Sequence, residues 1–223
     1  MTPGGSEPCS SMEMKYELRC VVGAMPLSRT GNTQLADRSG CAHFSISPGV
    51  AFFMSMSARL SREKLRRSFR PARVRVLFVG ESPPASGRFF YARDSGLYRA
   101  MREAFQATDA AIRDDNFLAT FQSSGCYLVD LCADPVDRLA AAARRVACAT
   151  GEASLARTIR ELQPAVIAIL LRSIGHNVTN AIARANWHGD VIRLPYPGRW
   201  IRHRKAFIDV LRPVIVRGTD PPR

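Results

Sequence analysis

Apolar positions cluster into four short runs from residue 74 onward. They are "VRVLFVG" at 74–80, "GCYLVDLC" at 125–132, "AVIAILL" at 165–171 and "DVIRLPYP" at 190–197. Each is followed by a turn and then by a stretch in which apolar residues recur three and four apart, the period of a helix with one buried face. "DSGLYRAMREAFQ" sets Leu97, Met101, Ala104 and Phe105 on one face, with Asp94 or Ser95 as N-cap. "ASLARTIRELQ" aligns Leu155, Ile159 and Leu162 and stops before Pro164. "HNVTNAIARAN" carries Val178, Ile182 and Ala185, and "RKAFIDVLRPVI" carries Phe207, Val210 and Leu211. Upstream of the first run, "SARLSREKLRRSFRPAR" is a basic helix with Leu60 and Leu65 on one side, ended by Pro71.

Strands that are apolar throughout are buried on both faces, and strands alternating with helices build a parallel sheet. The expected fold is therefore α/β, a three-layer α/β/α sandwich. Residues 1–55 carry no sustained period and are rich in Ser, Gly, Pro and Met. They read as a flexible extension, or as the product of a start codon placed too far upstream, with Met54 and Met56 as internal alternatives. Within them "AHFSISPGVAFF" is a loop or a short edge strand. The folded domain is expected over 56–217, with a short tail over 218–223.

Composition adds a second constraint. Lys and Arg total 32 against 19 Asp and Glu, a formal charge of +13. Such an excess points to a polyanionic partner, above all nucleic acid, or to an arginine-rich genome in which the charge is incidental. The six cysteines include no CxxC pair. No basic-then-apolar leader and no apolar run near the ~18 residues of a spanning helix is seen, so the expectation is a cytoplasmic protein with reduced thiols and no membrane contact.

Function in parallel α/β sheets gathers at the carboxyl ends of the strands. The first such end is "GESPPASGRFFYARDSG" at 80–96. Gly80 permits a sharp turn, and Pro83 and Pro84 stiffen the loop beyond it. A loop so fixed can hold Glu81 and nearby N–H groups toward a ligand, with Phe89, Phe90 and Tyr91 as stacking faces. Alternatively it is a rigid connection whose aromatics fill the core. The second strand ends at Asp130, a carboxylate among apolar neighbours that either caps local backbone or reads a base edge. The fourth ends in "LPYPGRWIRHRKAF", where five cations and no acid stand from Arg193 through Lys205, interleaved with Tyr196 and Trp200. That mixture suits phosphates and stacked bases, or the basic start of a last helix.

Taken together, these segments resemble the uracil-DNA glycosylase superfamily over Met56 to about Val216. The resemblance implies a four-stranded parallel sheet between helices. It also implies an enzyme that flips a damaged base out of DNA and hydrolyses its N-glycosidic bond without a metal or other cofactor. Gly80-Glu81-Ser82-Pro83-Pro84 is similar to the first motif, GEAPG or GQDPY elsewhere, which positions the attacking water. Ser82 stands where one branch has a water-activating Asp, leaving Glu81 as the motif's acid. "GRFFYARDSG" is similar to the segment whose Phe stacks on the flipped base, implying Phe90, with Phe89 as the register alternative. Asp130 falls at the Asn that reads uracil. "LPYPG" falls on the second motif, HPSPL, with Leu194 in place of its His and Gly198 at its wedge, beside Arg199 and Trp200. His203, or N–H groups at the start of the last helix, would then take over stabilisation of the leaving base.

Tyr196, Gly198, Arg199, Trp200, Arg202, Arg204 and Lys205 are the expected DNA-binding arm. Gly80, Ser82, Phe90 and Asp130 are the expected base pocket, and Glu81 and His203 the expected catalytic groups. Cys132 and Cys148 are sixteen apart, a spacing seen in iron–sulfur branches, but the matching CxxC is absent and no cluster is expected. The expected partner is DNA carrying uracil or another deaminated base, bound by a monomer.

Overall fold

A computed structural model describes residues 48–197 and 201–216, with side chains from Met56 onward. Four strands form one parallel sheet: β1 (Val76–Gly80), β2 (Cys126–Asp130), β3 (Val166–Ile169) and β4 (Asp190–Arg193), in the order β2-β1-β3-β4. Each apolar run supplies one strand. Val76, Leu77, Phe78 and Val79 of β1 are fully buried, as a central strand between two helical layers requires. β1 pairs with β2 from Val76 opposite Cys126 to Gly80 opposite Asp130, and with β3 from Val76 opposite Val166 to Val79 opposite Ile169.

The helices are α1 (Pro48–Ser68), α2 (Gly96–Gln106), α3 (Phe117–Ser123), α4 (Ala141–Leu162), α5 (Gly175–Ala185) and α6 (Ile201–Val216). The chain leaves β1 toward one edge of the sheet and returns across it to β3. With right-handed crossovers this puts α2 and α3 on one face and α4 and α5 on the other. α4 packs along α5, and α2 along α6, completing the three layers. The turnaround lies between β1 and β3, where the loops leaving the strands part to opposite faces and open a crevice.

Several details differ from the sequence reading. α1 begins at Pro48, so the last residues assigned to a flexible extension, and part of "AHFSISPGVAFF", are helical; 1–47 lie outside the described residues. Leu60 is exposed while Leu65 packs on the core. Ser95 caps α2 by accepting from the Tyr98 N–H at 3.1 Å, and Asp94 instead accepts from the Phe89 N–H at 2.7 Å. α4 starts twelve residues before the expected Ala153, and α3 has no counterpart in the sequence pattern. On α6, Ile215 rather than Val210 joins Phe207 and Leu211 in the core.

β2 is an edge strand, and an edge exposes unpaired backbone groups. Tyr91 closes it. Its buried hydroxyl accepts from the Leu128 N–H at 2.8 Å and donates to the Leu128 carbonyl at 3.1 Å. Burial also pushes the Tyr91 phenol well above its usual range, so it stays protonated. The ring stacks on Phe69 at 5.6 Å and meets Phe90 edge-on at 5.0 Å. Tyr91 is therefore a wall of the fold, not a free stacking face. Tyr91→Phe should leave both Leu128 groups without a partner and lower unfolding stability by about 1–3 kcal/mol. Urea denaturation with an unchanged m-value checks this; an unaltered midpoint would show that the hydroxyl is dispensable.

Candidate functional site

Two carboxylates end neighbouring strands, and the chain has shaped its backbone around them. A Cβ on Gly80 would lie 2.9 Å from Asp130 Oδ1, so the glycine at the end of β1 is what admits the Asp130 carboxylate from β2. The ladder continues past the strand ends, with Leu131 N–H donating to the Gly80 carbonyl at 2.9 Å and Cys132 N–H to the Glu81 carbonyl at 2.8 Å. These bonds fix the two acid-bearing tips side by side.

Neither acid is left alone. Arg66 of α1 donates through Nη2 to Asp130 Oδ2 at 2.7 Å and through Nη1 to Glu63 at 2.8 Å. Its guanidinium also lies 5.6 Å from the centre of the Phe89 ring, a cation–π placement. Arg66 Nε is buried without a partner among the described residues. Burial pushes the Asp130 carboxyl above the usual range, and Arg66 pulls part of that shift back. Across the sheet, Arg144 of α4 grips both oxygens of Glu81, through Nε at 2.7 Å and through Nη2. Glu81 in turn holds the Arg144 guanidinium more firmly in its charged form. Cys148 Sγ lies 3.9 Å from Glu81 Oε1 and 3.8 Å from Cys132 Sγ. Both thiols are free and buried, and burial raises both above the usual thiol range.

The loop after β1 is tied to the loop after β2. Ser82 Oγ accepts from the Val136 N–H at 3.3 Å, and the Ala85 N–H donates to the Asp137 carboxylate at 3.0 Å. Between these loops, α2 and the segment after β4 lies a cleft of about 210 Å³. Gly80, Glu81, Ser82, Phe90, Asp130 and Tyr196 all line it. The tips that the sequence singled out on β1, β2 and β4 thus meet in one place. A second hollow, of about 430 Å³, shares Gly96 and Tyr196 with the cleft and is lined further by Arg99, Glu103 and Arg204.

Other expected residues fall elsewhere. Phe90 is held among Tyr91, Tyr98, Phe117 and Phe121, with ring centres 5.0–6.3 Å away, and is only 3% exposed. The cleft therefore meets a sliver of its ring, and the core-filling alternative describes most of its surface. His203, Arg202 and Lys205 are exposed on the first turns of α6 and do not line the cleft. Arg204 reaches Glu103 at 3.3 Å. Gly198, Arg199 and Trp200 lie outside the described residues. Leu194 is buried, its N–H donating to the Ile169 carbonyl at 2.9 Å, so the position that faces a base in the resembled motif here carries core. Sequence reasoning missed Arg66, Arg144 and Arg99. Each sits in an Arg-rich stretch, and nothing in the local pattern separates it from solvated neighbours such as Arg67 or Arg145.

In comparison with known proteins, no family model and no curated protein matches the chain. No helix among the described residues is long and apolar enough to cross a membrane.

The Arg66–Asp130 pair has a pH signature. A buried acid with a raised pKa binds its proton more tightly in the folded state, so its ionisation costs stability as pH rises through that range. Arg66 limits this cost. Arg66→Met should destabilise the protein by about 3–5 kcal/mol at pH 7.5, because it strands a buried charge. At pH 4.5 the loss should shrink, since a protonated Asp130 needs no counter-ion. Urea denaturation at the two pH values checks the sign; an equal loss at both would mean that Arg66 acts by packing alone.

Proposed function

We propose that the protein is a DNA glycosylase that excises uracil or a related deaminated base. It would act as a cytoplasmic monomer on DNA held through its basic surface. The observation that carries this reading is the convergence of Glu81, Asp130 and Tyr196 on one cleft at the carboxyl ends of β1, β2 and β4. These are the segments in which the sequence resembles the uracil-DNA glycosylase motifs, and the α/β rule puts a ligand at that edge of the sheet.

In this reading Lys and Arg side chains capture phosphates in a salt-sensitive step. Arg88 at the cleft mouth and Arg99 in the adjoining hollow have no side-chain partner among the described residues, which leaves them free for phosphates. The target nucleotide swings out of the stack and its base enters the cleft. Tyr196 is half exposed and makes no hydrogen bond among the described residues, and Pro195 and Pro197 beside it have no N–H to give. Displacement of that segment widens the cleft and gives the base access to the Phe89 and Phe90 rings. Asp130 reads the polar edge. The C1′–N bond then breaks with its electrons leaving on the base, and water adds to the cationic sugar, releasing one proton to solvent while the anionic base takes one up.

Glu81 serves this reaction through position more than as a base. Both Glu81 oxygens are already engaged by the Arg144 guanidinium, so neither is directed at a water. What the pair supplies is a rigid loop whose backbone groups hold the water. Glu81→Gln should keep DNA affinity within about twofold and lower base release by about 10² or more, by analogy with loss of a single positioned group. An excision assay on oligonucleotides containing uracil, with a parallel binding titration, checks both numbers. Normal turnover in the variant would remove Glu81 from the mechanism.

A second reading is favoured by specific observations: Leu194 is buried where the resembled motif has a histidine, and both Glu81 oxygens are taken by Arg144. Under it, the protein recognises lesions without excising them. Lesion-specific binding by the wild-type chain with no abasic product would select this reading. Weak, salt-insensitive DNA binding would sink both.

A further inference from the structure

The two oxygens of Asp130 are in unlike circumstances. Oδ2 is taken by Arg66 at 2.7 Å. Oδ1 makes no hydrogen bond among the described residues, and it has room only because residue 80 lacks a side chain. The residue lines the cleft, so the free oxygen is the one available to a ligand there. Arg66 is meanwhile used up. Nη1 goes to Glu63, the plane lies over Phe89, and Nε is sealed without a partner. Arg66 does not line the cleft. It sets the charge and the angle of Asp130 and offers no donor of its own to a base.

We propose that Arg66 is a positioning residue that holds Asp130 as an acceptor-only reader. The site thereby favours bases whose read N–H has a hydrogen on one side, over uracil, whose N3–H sits between two carbonyls. This proposal rests on the DNA-glycosylase reading above and names the substrate class of that same cleft.

Donor and acceptor count sets the preference. An amide reader offers one acceptor and one donor, which matches the N–H and neighbouring carbonyl of uracil. An ionised carboxylate offers acceptors only. Here a single oxygen accepts from the base N–H, and the second oxygen must lie beside whichever group flanks it. In uracil both flanking groups are carbonyl oxygens, so either orientation sets an anionic oxygen against a lone pair with no donor between them. Hypoxanthine has an N1–H with a carbonyl on one side and a C–H on the other. The second oxygen can lie over the C–H. The same count explains why acidic side chains accept from amino groups in base recognition. A protonated Asp130 would behave differently, because its O–H could donate to a carbonyl; the Arg66 guanidinium on Oδ2 opposes that protonation and occupies the oxygen that would carry the hydrogen.

The test measures binding, so that it stands apart from catalysis. Single-stranded oligonucleotides of one sequence carry non-hydrolysable 2′-fluoroarabino hypoxanthine, 2′-fluoroarabino uracil or an undamaged base. Affinities are measured for the wild-type chain, Arg66→Gln and Asp130→Asn. The larger stacking surface of a purine acts in all three proteins, so the readout is the change in the hypoxanthine-to-uracil ratio. The wild-type chain should favour hypoxanthine by about tenfold or more, and both variants should move the ratio toward uracil by about tenfold. A purely structural Arg66 would weaken both ligands alike and leave the ratio unchanged, which overturns the proposal. So does a wild-type preference for uracil, or no preference for either lesion over the undamaged strand. If Arg66→Gln does not fold, an unmoved ratio in Asp130→Asn alone overturns it. An altered ratio without abasic product from any wild-type substrate would leave this inference standing and remove the glycosylase reading.

Discussion

A carboxylate cannot be buried at the edge of a sheet without a counter-charge, and here two are buried on adjacent strand ends. Asp130 and Glu81 lie at the tips of paired strands, and each draws in a guanidinium from a helix on the far side of a long connection. Arg66 is separated from Asp130 by 64 residues and Arg144 from Glu81 by 63. These two pairs dictate much of the architecture around the cleft. α1 lies where it does so that Arg66 reaches β2. α4 starts early enough to bring Arg144 under the β1 loop, and it closes in because Gly151 has no side chain: a Cβ there would lie 2.3 Å from the Leu131 carbonyl oxygen. Removing either arginine leaves a shielded carboxylate without its counter-charge, a penalty comparable with that of truncating a large core side chain.

The sheet was legible because its signal is local. A central parallel strand is apolar at every position, and runs such as "VLFV" and "VIAI" have no competing reading once helical periods flank them. What the sequence hid was non-local. The first half of α4 is "AAARRVACATGE", in which Cys148 and Glu152 are buried and the remaining positions face outward or sideways. Glu152 is a buried acid accepting from Asn177 at 2.8 Å and Asn180 at 3.0 Å on α5. A stripe containing an acid gives no apolar period, so the helix shows in the sequence only where Leu155, Ile159 and Leu162 take over. α3 is short, and its Phe117, Leu118 and Phe121 look like a loop until Phe78 and Phe105 are in place around them.

The site divides along the same line. Glu81, Asp130 and Tyr196 were legible because strand ends in a parallel sheet converge, whatever the chemistry they carry. Their partners were not, because a guanidinium that neutralises a buried acid looks in sequence like any exposed arginine. Phe90 shows the converse. Its position in an aromatic cluster after the first strand fits both a stacking platform and a core plug, and only its packing against four other rings separates them. Aromatic residues bury large areas wherever they can, so three in a row beside a strand end fill the nearest void first and face a ligand with what remains.

The charge of the chain then acquires a spatial meaning. Two acids of the cleft are matched from behind its wall, Asp130 by Arg66 and Glu81 by Arg144, and neither arginine lines the cleft. At the rim such a match is missing: Arg88, which lines the cleft, and Arg99 in the next hollow have no acid bonded to them among the described residues. An anionic ligand drawn by the net charge of +13 is therefore pulled toward the rim, while the floor presents neutral pairs and one carboxylate oxygen. Such a division suits a ligand with a charged backbone and a neutral, hydrogen-bonding head group, and it is poorly suited to a free anion, which would find no unmatched cation at the bottom. A nucleotide within a strand has that polarity. A free phosphorylated sugar or acidic metabolite does not.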